Sequence, residues 1–185
     1  DVLSLCKELN CILIIDEAYI DFAEEGTLIN EVKNFPNLIV MRTFSKAWGL
    51  AGIRLGYCVA DEEIIKFLFK IKAPYNINSL TRFVLEKAIR NSKEKNEFVL
   101  SIIKERERLK HQLETLAGVE KVFNSDANFL LIKCKNPKEI QNRLAEKGII
   151  IRDRSTQPKL EGCLRISIGN EEENDLLWEE IKKIL

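Results

Sequence analysis

The chain has 185 residues, 45% apolar and 31% charged, and its 29 lysines and arginines match its 29 aspartates and glutamates. That length can bury a sizeable core in one domain or two small ones, and the even charge gives no general attraction to nucleic acid or to an anionic membrane. Its apolar runs fall far short of the ~18 residues a membrane helix needs, and the N-terminus lacks the basic start and apolar middle of a signal peptide. The expected location is the cytoplasm.

Residues 1–10 read as a short amphipathic helix leading into a strand at 11–15, which ends in Asp16 and Glu17. A loop-rich connection with a turn at Gly26 follows, then an apolar run at 37–41 that reads as a buried strand because no polar residue alternates within it. Past a turn rich in hydroxyls and glycines, residues 53–60 read as a strand returning alongside the sheet. Asp61 is expected to cap a helix running to Lys72, Pro74 to break it, and Ser79 to start a helical stretch that pauses near Asn91 and stops at Gly118. Strands are expected at 119–123 and 129–134, and Asn136 with Pro137 should open a helix that ends at Gly148. Strands at 149–152 and 163–168 follow, and Asn170 opens a last helix with Leu176, Leu177, Ile181 and Leu185 facing inward. The organisation is α/β: part of a larger sheet domain over 1–78, a connecting helical segment over 79–117, and a small α/β domain over 118–185.

Cys6, Cys11, Cys58, Cys134 and Cys163 are odd in number and lack metal spacing, so they read as buried free thiols and no metal site is expected. The single histidine, His111, lies in a charged helical stretch and is expected at the surface. Thr43, Ser45 and Lys46 sit just past a strand end, where an open α/β sheet presents its ligand-binding edge, and Arg54 follows. A lysine among hydroxyls and a guanidinium suits a phosphorylated aldehyde, the amine forming a Schiff base and the others binding the phosphate. Asp16 with Glu17 at a strand end is compatible with a structural acidic pair or with the magnesium-binding acids of a Walker-type nucleotidase, although no phosphate-loop run accompanies it. Arg152 and Arg165 lie in apolar strands, where a charge that cannot be shed needs an anionic partner, from the protein or from a ligand. Strand alternation puts Arg154 on the side of Arg152.

Residues 45–57, with Ser45, Lys46, Gly49, Gly52 and Arg54, resemble the cofactor-lysine signature of the fold-type I, pyridoxal-phosphate-dependent aminotransferases. Thirty positions earlier, Asp16, Glu17, Ala18 and Tyr19 are similar to that family's pyridine-facing motif. The segments around Arg152, Arg154 and Ser155, and around Gly162, Arg165 and Gly169, resemble one branch of the family, the histidinol-phosphate aminotransferases. The resemblance implies a truncated large-domain sheet plus a small C-terminal domain, with pyridoxal 5'-phosphate as cofactor. Lys46 would carry it as a Schiff base and shuttle the proton, Asp16 would ion-pair with the pyridine nitrogen, and Tyr19 would hydrogen-bond the phenolic oxygen. Thr43, Ser45 and Arg54 would hold the phosphate. Arg152 and Arg165 would grip substrate anions: the phosphate of L-histidinol phosphate and the carboxylates of glutamate and 2-oxoglutarate. It further implies a role in histidine biosynthesis, a homodimer, and an N-terminal portion of the fold lying outside this sequence, without which the fragment is inactive. An aromatic or broad-range aminotransferase, a threonine-phosphate decarboxylase and a non-catalytic module that keeps the fold are the alternatives.

Overall fold

Helix α1 (Val2–Glu8) precedes β1 (Leu13–Asp16), which pairs in parallel with β2 (Leu38–Thr43); β2 pairs antiparallel with β3 (Gly56–Ala60). The computed structural model describes residues 2–185 and divides into two units at Asn96 and Glu97. Parallel pairing brings the carboxyl ends of β1 and β2 side by side, with Asp16 opposite Met41. The link between them is two turns of 3-10 helix, Ile20–Phe22 and Ile29–Lys33. Val32, Leu38 and Val40 form the buried centre of this unit, packed by Leu3, Leu13, Ile15, Leu28, Ile29, Phe35 and Val59.

The expectation of a strand buried on both faces holds only in part. Leu38, Ile39 and Val40 are buried, but Met41 is exposed, and β1 alternates, with Ile14 55% exposed between the packed Leu13 and Ile15. β3 starts later than expected because Ala51–Ile53 forms a 3-10 turn and Arg54 adopts a left-handed conformation (φ 52, ψ 46) that a strand cannot hold.

Asp61 caps α2 (Glu62–Ile71), its carboxylate accepting from Glu63 N at 2.9 Å, and Asn78 caps α3 (Ser79–Arg90) by accepting from Thr81 N at 2.8 Å. The pause at Asn91 separates α3 from α4 (Ser92–Glu114). α4 ends before the expected stop at Gly118, where the Thr115 hydroxyl donates to Gln112 O at 2.7 Å. Gly118 serves packing instead, since a Cβ there would meet the Leu185 side chain at 2.8 Å.

In the second unit β4 (Val119–Phe123), β5 (Phe129–Cys134), β6 (Arg152–Asp153) and β7 (Cys163–Ser167) form an antiparallel sheet in the order β4-β5-β7-β6. Its core joins Leu109 and Leu113 of α4, Leu130, Ile132, Leu164 and Ile166 of the sheet, Ile140 and Leu144 of α5 (Pro137–Glu146), and Leu177 and Ile181 of α6 (Glu171–Ile181). Asn136 does not cap α5 as expected: it takes a left-handed conformation (φ 52, ψ 49) with no side-chain bond, so Pro137 at the helix start carries that role. Asn170 and Glu173 form a full capping box on α6. Leu176 is exposed rather than inward-facing, because neighbours on a helix point about 100° apart and Leu177 already occupies the core side. Of the cysteines, Cys134 and Cys163 are buried, Cys6 and Cys58 half-buried, and Cys11 exposed, so only the strand cysteines of the second unit meet the expectation. Burial pushes the Cys134 thiol up to about 11. His111 is exposed. Among the described residues no helix is long and apolar enough to cross a membrane, and no group of three His, Cys, Asp or Glu could hold a metal.

Candidate active site

The turn that follows β2 is closed by its own backbone. Phe44 N donates to Leu55 O (3.1 Å), Leu50 N to Phe44 O (3.0 Å) and Gly49 N to Lys46 O (2.9 Å), while Gly49 supplies the positive φ of 65° the turn needs. Thr43 is spent on the same turn: its hydroxyl oxygen accepts from Ser45 N at 3.0 Å and donates to Leu55 O at 3.5 Å. Beneath, the buried Phe44 ring packs against Trp48 (5.9 Å between centroids) and Tyr57 (5.5 Å). A turn so tied at both ends presents Lys46 from a fixed base. Its Nζ lies 4.9 Å from the centroid of the Tyr19 ring, and it ion-pairs with no described carboxylate.

Two adjacent acids at the end of β1 face opposite ways and do different work. Glu17 is buried and accepts from Thr27 Oγ1 (2.8 Å), Leu28 N (2.7 Å), Arg42 Nε (3.0 Å) and Arg42 Nη2 (2.9 Å). It thereby ties β1, β2 and the connection between them at the edge where the site lies. Burial alone would pull the Arg42 guanidinium down, but its bonds to Glu17 and then Tyr57 more than offset this and raise it. Asp16 is exposed, held by one bond from Ala18 N to Oδ1 at 2.9 Å. Of the two readings left open by the sequence, Glu17 is structural, and Asp16 keeps a carboxylate oxygen available to a ligand.

Asp16, Tyr19, Thr43, Ser45 and Lys46 thus gather at one carboxyl edge of the parallel pair. Arg54 stands at the far end of the lysine loop, exposed, with Nη1 3.2 Å from Ala51 O.

In the second unit Arg152 and Arg165 are register partners on β6 and β7, directly opposite one another. Two like charges so placed repel across the ladder. Arg165 packs its guanidinium 5.2 Å from the centroid of the Phe129 ring, and its buried Nε has no hydrogen-bond partner among the described residues. Arg152 is exposed on a two-residue edge strand, so solvent meets its charge and the expected need for a buried partner applies to Arg165 alone. Phe129 went unnoticed in the sequence. Alternation along residues 129–134 puts it on the face of Leu131, but only the β5–β7 register, which pairs Leu131 with Arg165, brings it beside the arginine.

Comparison with known proteins shows what the chain is similar to. A family model described as aminotransferase class I and II matches residues 1–181. A histidinol-phosphate aminotransferase of Flavobacterium johnsoniae is 44% identical over 181 residues, which is 98% of this chain and 52% of that protein. The crystal structure of the histidinol-phosphate aminotransferase from Clostridium acetobutylicum superposes with a TM-score of 0.91 at 28% identity, covering 99% of this chain and 57% of that one. The corresponding enzyme from Sinorhizobium meliloti, solved in complex with pyridoxal-5'-phosphate, gives 0.86 at 28% identity, covering 99% and 51%. The chain spans about half the length of the curated relatives it matches. With its fold-type I architecture and a family match over nearly its whole length, the chain belongs to the class I and II aminotransferases.

Proposed function

We propose that this chain supplies the lysine-bearing part of a pyridoxal-phosphate-dependent enzyme that moves an amino group between L-histidinol phosphate and 2-oxoglutarate in histidine biosynthesis. The observation that carries the reading is the Lys46 amine, 4.9 Å over the Tyr19 ring and without a carboxylate partner, at the shared edge of two parallel strands. The likeness to histidinol-phosphate aminotransferases supports the choice of substrate.

The residues present fit pyridoxal 5'-phosphate, because each polar part of that molecule has a group of the right kind here: an amine for the aldehyde, a carboxylate for the ring nitrogen, a phenol for the ring oxygen, and the Ser45 hydroxyl with a guanidinium for the phosphate. When bound, that group supplies an electron sink for the pair left when a substrate Cα proton departs. Lys46 Nζ would hold the aldehyde and, once released, would take the proton from the substrate Cα and deliver it across the nitrogen to the former aldehyde carbon, as a general base and then acid. Asp16 would keep the ring nitrogen protonated by its negative charge. Tyr19 would orient the ring, and Ser45 and Arg54 would anchor the phosphate, with Thr43 shaping the loop that presents them. Arg165, with a buried Nε seeking an acceptor, and Arg152 opposite it offer paired guanidinium groups to an anionic substrate. Residues 1–78 form the large-domain portion, 79–117 the connection and 118–185 the small domain. The enzyme works as a homodimer in the cytoplasm, on small-molecule substrates and with no nucleic-acid or membrane partner. The exposed Phe67, Phe69, Ile71, Leu80 and Phe83 support an assembly larger than this chain, and five free thiols suit a reducing compartment.

The test is single-turnover kinetics of the full-length protein loaded with pyridoxal 5'-phosphate. Both L-histidinol phosphate and glutamate should discharge the lysine, and Arg165→Ala should slow both by roughly tens to thousands-fold, as loss of a charge-assisted pair of 2 to 5 kcal/mol implies. A parent protein that reacts with aromatic amino acids but not with histidinol phosphate would overturn the substrate assignment.

A further inference from the structure

Two site turns that lie apart in the sequence converge on a single ammonium group. Lys95, in the first turn of α4, places Nζ 2.7 Å from Asp21 Oδ1 and 5.3 Å from the centroid of the Trp48 ring. Asp21 stands two residues past Tyr19, in a turn closed by Phe22 N donating to Tyr19 O at 2.9 Å. Trp48 stands two residues past Lys46 and packs on Phe44, whose carbonyl closes the lysine turn. The ion pair is largely covered, its side chains 15% and 23% exposed. A cation in the first turn of a helix opposes the helix dipole, and a covered lysine gives up rotamer freedom. Neither helix formation nor solvation accounts for it there; the pairing with Asp21 and Trp48 does.

We propose that Lys95 is a positioning residue that sets the distance between the Tyr19 turn and the Lys46 turn, and so keeps the Lys46 amine over the Tyr19 ring. The inference rests on the reading of Lys46 as the cofactor lysine. Each turn is closed by its own backbone bonds, so loss of Lys95 leaves both turns formed while removing the group that joins them. Lys95 touches neither reacting atom; it acts through Asp21 and Trp48.

The experiment compares Lys95→Met, Asp21→Asn, the double variant and Lys95→Arg in full-length protein in which Trp178 and any tryptophan outside this chain are replaced by phenylalanine, so that Trp48 alone emits. In the absence of cofactor, Trp48 emission should change in Lys95→Met and in Asp21→Asn and return toward the parent in Lys95→Arg, because a cation over the indole face perturbs it. With pyridoxal 5'-phosphate added, the rate at which the lysine captures the aldehyde should fall roughly ten- to a hundredfold in both single variants, the scale of loss that about an ångström of misplacement causes. The double variant should be no slower than the worse single one, and Lys95→Arg should recover most of the rate. Capture at the parent rate in Lys95→Met, or losses that add in the double variant, would overturn the proposal. Should the parent capture no aldehyde, the cofactor reading fails by itself, and the bridge is then judged by emission alone: an unchanged Trp48 spectrum in Lys95→Met refutes it.

Discussion

The two units use their residues in opposite ways. The first buries a centre of three residues, Val32, Leu38 and Val40, and commits its polar groups to turns: Thr43 to the lysine loop, Glu17 to three neighbours, Lys95 to Asp21. The second buries fourteen apolar residues contributed by its sheet and three helices, and the charged groups it buries, Glu105 and Arg106, lie on α4. Chemistry needs side chains fixed yet reachable, which a closed core does not provide; turns pinned by hydrogen bonds do. Substitutions in the first unit should therefore damage reaction more than folding, and core substitutions in the second should do the reverse.

The sharpest contrast is expected at Lys46. Lys46→Ala should lower turnover of the full-length protein by about 10⁴-fold or more, since one amine serves as both covalent anchor and proton carrier, with little change in the melting temperature of the cofactor-free protein because no described ion pair is broken. A large fall in melting temperature would make Lys46 structural and erase the contrast. Asp16→Asn comes next: loss of a fixed charge facing the ring nitrogen should cost roughly 10²- to 10³-fold in kcat while cofactor still binds. Near-normal kcat in that variant would remove Asp16 from the site.

On the other side of the comparison, Leu130→Ala, at a fully buried position in the second sheet, should destabilise the protein by about 2–5 kcal/mol through lost burial and the cavity left behind. Urea unfolding measures it, and loss of turnover without loss of stability would contradict the division of labour. The smallest effect concerns pH. Arg108's hydrogen bonds hold the buried Glu105 carboxyl below its ordinary range, against the upward push of burial and with help from Asn174. A depressed carboxylate stabilises the fold above its unfolded pKa and ceases to do so as pH falls through its folded value, so the second unit should weaken on acidification below about 4. Glu105→Gln should flatten that decline, by about 2–4 °C in melting temperature for each kcal/mol involved; an unchanged acid profile would place the acid sensitivity elsewhere.

What could be read from the sequence was set by short-range physics. The caps at Asp61 and Asn170, the break at Asn91 and the run of Lys46 and Arg54 past a strand each depend on residues a few positions apart. What escaped depends on pairing and on what covers a face. The apolar run at 37–41 reads as buried throughout, although Met41 is exposed. Arg152 and Arg165 become opposite neighbours only through the β6–β7 register, and Phe129 joins Arg165 only through β5. Asn136 looked like a cap by type, but its backbone took the left-handed conformation that asparagine tolerates. Lys95 gave no signal at all, because its partner is 74 residues away.

The central claim is that Lys46 is the amine that takes the cofactor, and it has a direct chemical test. Full-length protein is loaded with pyridoxal 5'-phosphate, reduced with borohydride to make the lysine linkage permanent, digested, and the labelled peptide sequenced. The account predicts one labelled site, Lys46, in the peptide that also contains Ser45. Label on any other lysine, or cofactor bound but not reducible onto the chain, would contradict it.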